Sequence, residues 1–131
     1  MAGLVLTIMV SITPHPIEGT WQPFKAELSG NHAPAMALEK MKLVIAAGSY
    51  AVYFGAEATD KGSYALGAPE GLQTITLISL RGTNAGRTIP SIYQLTGDRL
   101  RICYGLDGTA PIRFESTAGS HHYLVSYRRT A

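Results

Sequence analysis

The sequence predicts an all-β protein: a closed antiparallel up-and-down barrel with one short helix near residues 34–41 and an extra strand at the amino terminus. Three observations carry that expectation. Gly19-Thr20-Trp21 heads the first strand of a run; a glycine lets the backbone pass close beneath a barrel floor, and the indole two positions on plugs it. Beyond it, apolar and polar residues alternate in short stretches spaced about eight to twelve residues apart and divided by glycine-bearing turns, the pattern of a strand meander. No long helical periodicity, fixed-period repeat or low-complexity linker interrupts them.

The chain has 131 residues, which implies one domain spanning 1–131. A domain of this length buries roughly two thirds of its unfolded surface and needs neither disulfide nor metal to stand. Apolar residues make up 46% and charged residues 15% of it. So little charge is most easily explained if some apolar surface is covered by a second copy of the chain, and a homodimer is expected. A net charge of +2 with no basic stripe argues against a nucleic-acid partner. Cys103 is the single cysteine, so nothing calls for an oxidising compartment, and a cytoplasmic location is favoured.

Along the chain, Leu4, Leu6, Ile8, Val10 and Ile12 form one apolar face, with Thr7, Ser11 and Thr13 opposite. That is the period of a strand. The stretch lacks a basic leader and a convincing cleavage site, and it is too short to span a bilayer. Residues 1–13 are therefore read as the additional strand. Pro14-His15-Pro16 ends it, since proline donates nothing to a ladder. A strand follows from Thr20 to Leu28. Pro34 then opens a helical turn whose apolar edge, Ala37, Leu38 and Met41, suits it to lidding a barrel end. Further strands are predicted at Lys42–Ala46, Tyr50–Phe54, Asp60–Leu66, Leu72–Leu80, Thr88–Leu95, Arg99–Tyr104, Ile112–Ser116 and His121–Arg128. The loop from Arg81 to Arg87 carries two arginines among glycines but lacks a phosphate-binding lysine and its spacing, and reads as a surface hairpin loop.

Gly19-Thr20-Trp21, Ala26-Glu27, the Gly30 turn, Lys42-Leu43, the Tyr93-x-Leu95-x-Gly97-Asp98-x-Leu100 hairpin with Cys103 beyond it, and Phe114-x-Ser116 together resemble a small lipocalin-like family. Its members are bacterial proteins of unassigned function, many from planctomycetes. The resemblance runs from about residue 17 to the end; the chain departs from the pattern at Pro23 and in the strand before Pro14. It implies a lipocalin-like, calycin-type barrel and brings no activity or catalytic residue with it. It also implies that an arginine of the last strand covers the floor tryptophan. Arg128 and Arg129 both stand there, and Arg128 is the one favoured.

Chemistry is sparse. Strict alternation from an inward Trp21 sends Lys25 and Glu27 into the barrel, where both would need a partner or a ligand. A bulge near Pro23 is the simpler alternative and leaves both in water. Cys103 reads first as a small buried hydrophobe. As a nucleophile it would need a base from His121 or His122, with Glu27 orienting it. The histidines make a poor metal site, because neighbours on a strand face opposite ways, and no metal or cofactor is expected. The sequence thus supports two readings. The first is a binding module for a small apolar or amphipathic ligand, with Lys25, Glu27, Tyr50, Tyr93, Arg113 and His122 as candidate contacts. The second is a small hydrolase acting on an ester, lactone or related activated substrate at the barrel mouth, with Cys103, His121 and Glu27 as candidate catalytic residues. A third, an interaction domain built on residues 1–13, predicts a dimer lost on their removal.

Overall fold

The structure is a computed structural model that describes residues 14–130; the strand expected within 1–13 lies outside the described residues. Apart from one two-residue strand, strands adjacent in the sequence pair with one another. They are β1 (Gly19–Leu28), β2 (Asn31–His32), β3 (Met41–Ala46), β4 (Ser49–Phe54), β5 (Glu57–Gly67), β6 (Thr74–Gly82), β7 (Thr88–Thr96), β8 (Arg99–Gly105) and β9 (His122–Arg129). β9 pairs back onto β1, so eight antiparallel strands close on themselves as a barrel. The two-residue β2 pairs only with the far end of β1, Glu27 opposite His32 and Leu28 opposite Asn31.

Closure is uneven at one seam. β1 pairs with β3 for only Gly19, Thr20 and Trp21, and then runs on beside β9, meeting β2 only at Glu27 and Leu28. Beside this seam the helix α1 (Ala35–Glu39) packs against β1. Leu38 is buried, and the Gln22 side-chain amide donates to the Leu38 carbonyl at 2.7 Å. The helix is shorter than the 34–41 expectation, because β3 begins at Met41. None of the helices described is long and apolar enough to cross a membrane.

The pairing defines two ends. At the base lie the start of β1, the β3–β4, β5–β6 and β7–β8 connections and the end of β9. At the upper end lie the β1–β3 segment and the β4–β5, β6–β7 and β8–β9 connections. Trp21 closes the base, fully buried, with its indole N–H donated to the Ile17 carbonyl at 2.9 Å. Gly19 before it adopts φ 148°, a conformation that favours glycine. The arginine over the indole is Arg129, 4.3 Å from the ring centroid, and not Arg128. Register gives the reason: Trp21 lies opposite Arg129 and therefore shares its face, whereas Arg128 lies opposite Gln22 on the outside and reaches the Phe24 ring. Arg129 also donates to the Pro16 and Glu18 carbonyls at 2.6 and 2.7 Å and pairs with Asp98 at 3.2 Å, tying the chain ends to the β7–β8 turn.

One expected strand does not form. Ile112–Ser116 lies in the irregular connection between β8 and β9. That connection covers the outward Cys103, whose thiol meets the Glu115 carbonyl, and Pro111 within it is fully buried. At Gly105, where it departs, a Cβ would stand 2.1 Å from the Thr109 carbonyl oxygen, so only glycine lets the two passes of chain meet.

Candidate functional site

The upper half of the barrel interior holds a partly open cavity of about 260 Å³. Its walls are chiefly aliphatic: Leu43 and Ile45 from β3, Ile75 and Leu77 from β6, Ile89 from β7 and Ile102 from β8. These are the inward positions that period-two alternation assigns. Trp21 lies outside this lining, in the core at the base. Polar atoms enter the cavity in two groups.

The first group centres on Asp60, only 7% exposed. Three donors converge on its carboxylate: the Ser79 hydroxyl, the Tyr50 hydroxyl at 3.2 Å and the Asn84 amide at 3.3 Å. They come from β6, β4 and the β6–β7 loop, so one side chain gathers three segments of the upper wall. Both ladders of β5 slip beside it. Val52 pairs with Asp60 but Tyr53 with Ala58, and Lys61 pairs with Arg81 but Gly62 with Ser79. Bulges of this kind re-aim side chains and gather near functional sites. Two glycines permit the tight crossing: a Cβ at Gly62 would lie 2.0 Å from the Ile78 carbonyl oxygen, and one at Gly82 (φ 99°) 2.1 Å from that of Thr59. Burial, together with the negative Asp60 alongside, pushes the Tyr50 phenol up to about 12.

The second group is aromatic. The Tyr104 and Tyr127 hydroxyls share a hydrogen bond at 2.6 Å, and the Tyr104 and Tyr123 rings stack with centroids 5.8 Å apart. All three border the cavity. Burial holds each of these phenols above its ordinary range, so they are neutral at physiological pH and act as hydrogen-bonding groups on an otherwise apolar wall.

Of the candidate contacts read from the sequence, Tyr50 lines this cavity. Tyr93 points inward and is buried in the core without bordering the cavity. Lys25 and Glu27 are outside, for the reason the alternative reading gave: β1 slips register between Pro23 and Lys25, so Pro23 and Ala26 take the inward positions. There Glu27 meets Lys25 at 3.6 Å and His32 at 3.7 Å. Arg113 is exposed in the β8–β9 connection, 3.9 Å from Glu115, and His122 lies beside it in a shallow outer recess.

The candidate catalytic set does not assemble. Cys103 alternates outward on β8, fully buried beneath the β8–β9 connection, with its thiol against the Glu115 carbonyl at 3.7 Å. Burial raises its pKa, which suppresses the thiolate. His121 is exposed, and among the described residues no hydrogen bond joins either His121 or His122 to the thiol. Glu27 is engaged by Lys25 and His32. Among the described residues no group of three or more His, Cys, Asp or Glu side chains is placed to hold a metal ion.

Sequence reasoning passed over Asp60, Ser79 and Asn84. The signal was present in alternation: Asp60, Gly62, Tyr64 and Leu66 share one face of β5, and Ile75, Leu77 and Ser79 share one face of β6. No family model matches the chain, and no curated protein or solved structure matches it either.

Proposed function

We propose that this protein binds a small amphipathic molecule inside its barrel. The supporting observation is a cavity of about 260 Å³ whose aliphatic walls carry one convergent polar cluster, Tyr50, Asp60, Ser79 and Asn84. An apolar enclosure with a few placed polar groups is the usual form of a small-molecule site. The aliphatic wall takes the body of the ligand, and the polar cluster fixes its orientation. The resemblance to lipocalin-like proteins belongs to the same reading, since such barrels hold ligands in their interiors. An engineered apolar cavity of about 150 Å³ accepts benzene, so this volume suits a ligand of roughly ten non-hydrogen atoms.

The test is native mass spectrometry of the gently purified protein, followed by titration with apolar and amphipathic probes of that size. Saturable one-to-one uptake is expected. A barrel that takes up none of the panel contradicts the proposal. Pairing with a second copy of the chain, expected from its low charge, is a separate part of the reading, and light scattering decides it: a monomer at micromolar concentration removes that part.

A further inference from the structure

We infer that the ligand of this cavity is a cation, a compact amine with an apolar or aromatic body, and that Asp60 receives its ammonium group. The inference deepens the proposed binding function and rests on it. Asp60 is an acid placed in the wall of an apolar cavity, and the groups that hold it are all neutral: a serine hydroxyl, a tyrosine hydroxyl and a side-chain amide. Among the described residues the ion pairs engage Glu27, Glu115 and Asp98, and no lysine, arginine or histidine pairs with Asp60. Three donors orient the carboxylate without supplying positive charge. A carboxylate has about four acceptor positions, so room remains for one more donor.

Buried carboxylates are ordinarily paired with a cation, because desolvation without one is costly. Among the described residues none provides the complementary charge, and the carboxylate borders the cavity. A ligand ammonium meets that need, and a charge-assisted hydrogen bond is roughly twice as strong as a neutral one. The rest of the lining agrees. The stacked rings of Tyr104 and Tyr123 border the same space, and tyrosine faces attract cations and pack against aromatic bodies. An anionic ligand, by contrast, would set like charge beside Asp60.

Three probes with one phenyl body separate these possibilities by isothermal titration calorimetry at neutral pH: 2-phenylethylamine, 2-phenylethanol and phenylacetate. The amine is expected to bind at least about tenfold more tightly than the alcohol, and phenylacetate most weakly. In Asp60→Asn the advantage of the amine over the alcohol should fall to within about twofold. If the wild-type protein binds the alcohol as tightly as the amine, or prefers phenylacetate, the cation inference is overturned while the binding function stands. If it takes up none of the three, nor any member of the wider panel, the binding function falls with it. The wild-type comparison decides the matter even if Asp60→Asn does not fold.

Discussion

Trp21 and Asp60 stand toward opposite ends of one barrel interior, and each is buried by a different device. At the base, a single large ring fills the space between strands and its one polar atom is satisfied by the Ile17 carbonyl. A guanidinium stacks on it and is itself held by the Pro16 and Glu18 carbonyls and by Asp98. At the upper end the sheet slips register twice around Asp60, and aliphatic and tyrosine side chains line a cavity. The base is built for packing; the upper end gives up packing for space and places its polar groups around that space. A closed barrel can do both because its two ends are filled by different residues of the same strands.

That contrast predicts a separation of stability from binding. Trp21→Ala should give the largest effect, about 3–5 kcal/mol lost in denaturant unfolding, the usual consequence of emptying an aromatic core site. Whatever folded protein remains should keep its ligand affinity; a folded variant that had lost binding would show the two ends to be one unit. Next, Arg129→Ala should cost about 2 kcal/mol, since it removes a stacked cation and charged hydrogen bonds together. Arg128→Ala, on the exposed face, should stay within about 0.5 kcal/mol. Equal losses would put the wrong arginine over the indole.

The upper end has its own signature in alkaline solution. Tyr50 has a reference pKa of 10.0 and is raised to about 12 in the fold. Between those values the unfolded chain releases this proton and the folded chain keeps it, so stability is complete below pH 10 and falls as pH rises toward 12. Tyr104, Tyr123 and Tyr127 are shifted in the same direction and steepen the fall. Urea unfolding as a function of pH should therefore drop over this range, and less steeply in Tyr50→Phe. Parallel curves for the two proteins would remove Tyr50 from the account. The smallest effect is expected at Cys103→Ala: about 1 kcal/mol or less of stability and no change in ligand uptake, because the thiol lies on the outer face under the β8–β9 connection.

Much of this molecule can be read from alternation alone, and the failures cluster where alternation breaks. Gly19-Thr20-Trp21, the strand order and most strand boundaries follow from period-two patterning and glycine-bearing turns. The register slip after Pro23 was anticipated as one of two options, because proline and a one-residue shift are both local. The choice between Arg128 and Arg129 was not legible, since the parity of a closing strand depends on its partner across the barrel seam. Ile112–Ser116 has the composition of a strand but lacks a partner, because β9 already pairs with both β8 and β1. Asp60 was missed for a different reason. An acid near the head of a predicted strand looks like a solvated end, and only the convergence of Tyr50, Ser79 and Asn84 from distant segments makes it a site.

The isoleucines report on both ends and on the outside, and this makes one measurement decisive for a ligand held in the upper interior. With isoleucine δ1 methyl groups labelled with carbon-13, 2-phenylethanol is titrated into the protein and the methyl resonances are followed. Ile45, Ile75, Ile89 and Ile102, which line the cavity, should shift together and saturate. Ile17 beside Trp21, Ile92, buried outside the cavity lining, and Ile112 on the surface should stay in place. Shifts confined to Ile92 and Ile112, or none at millimolar probe, would contradict the account.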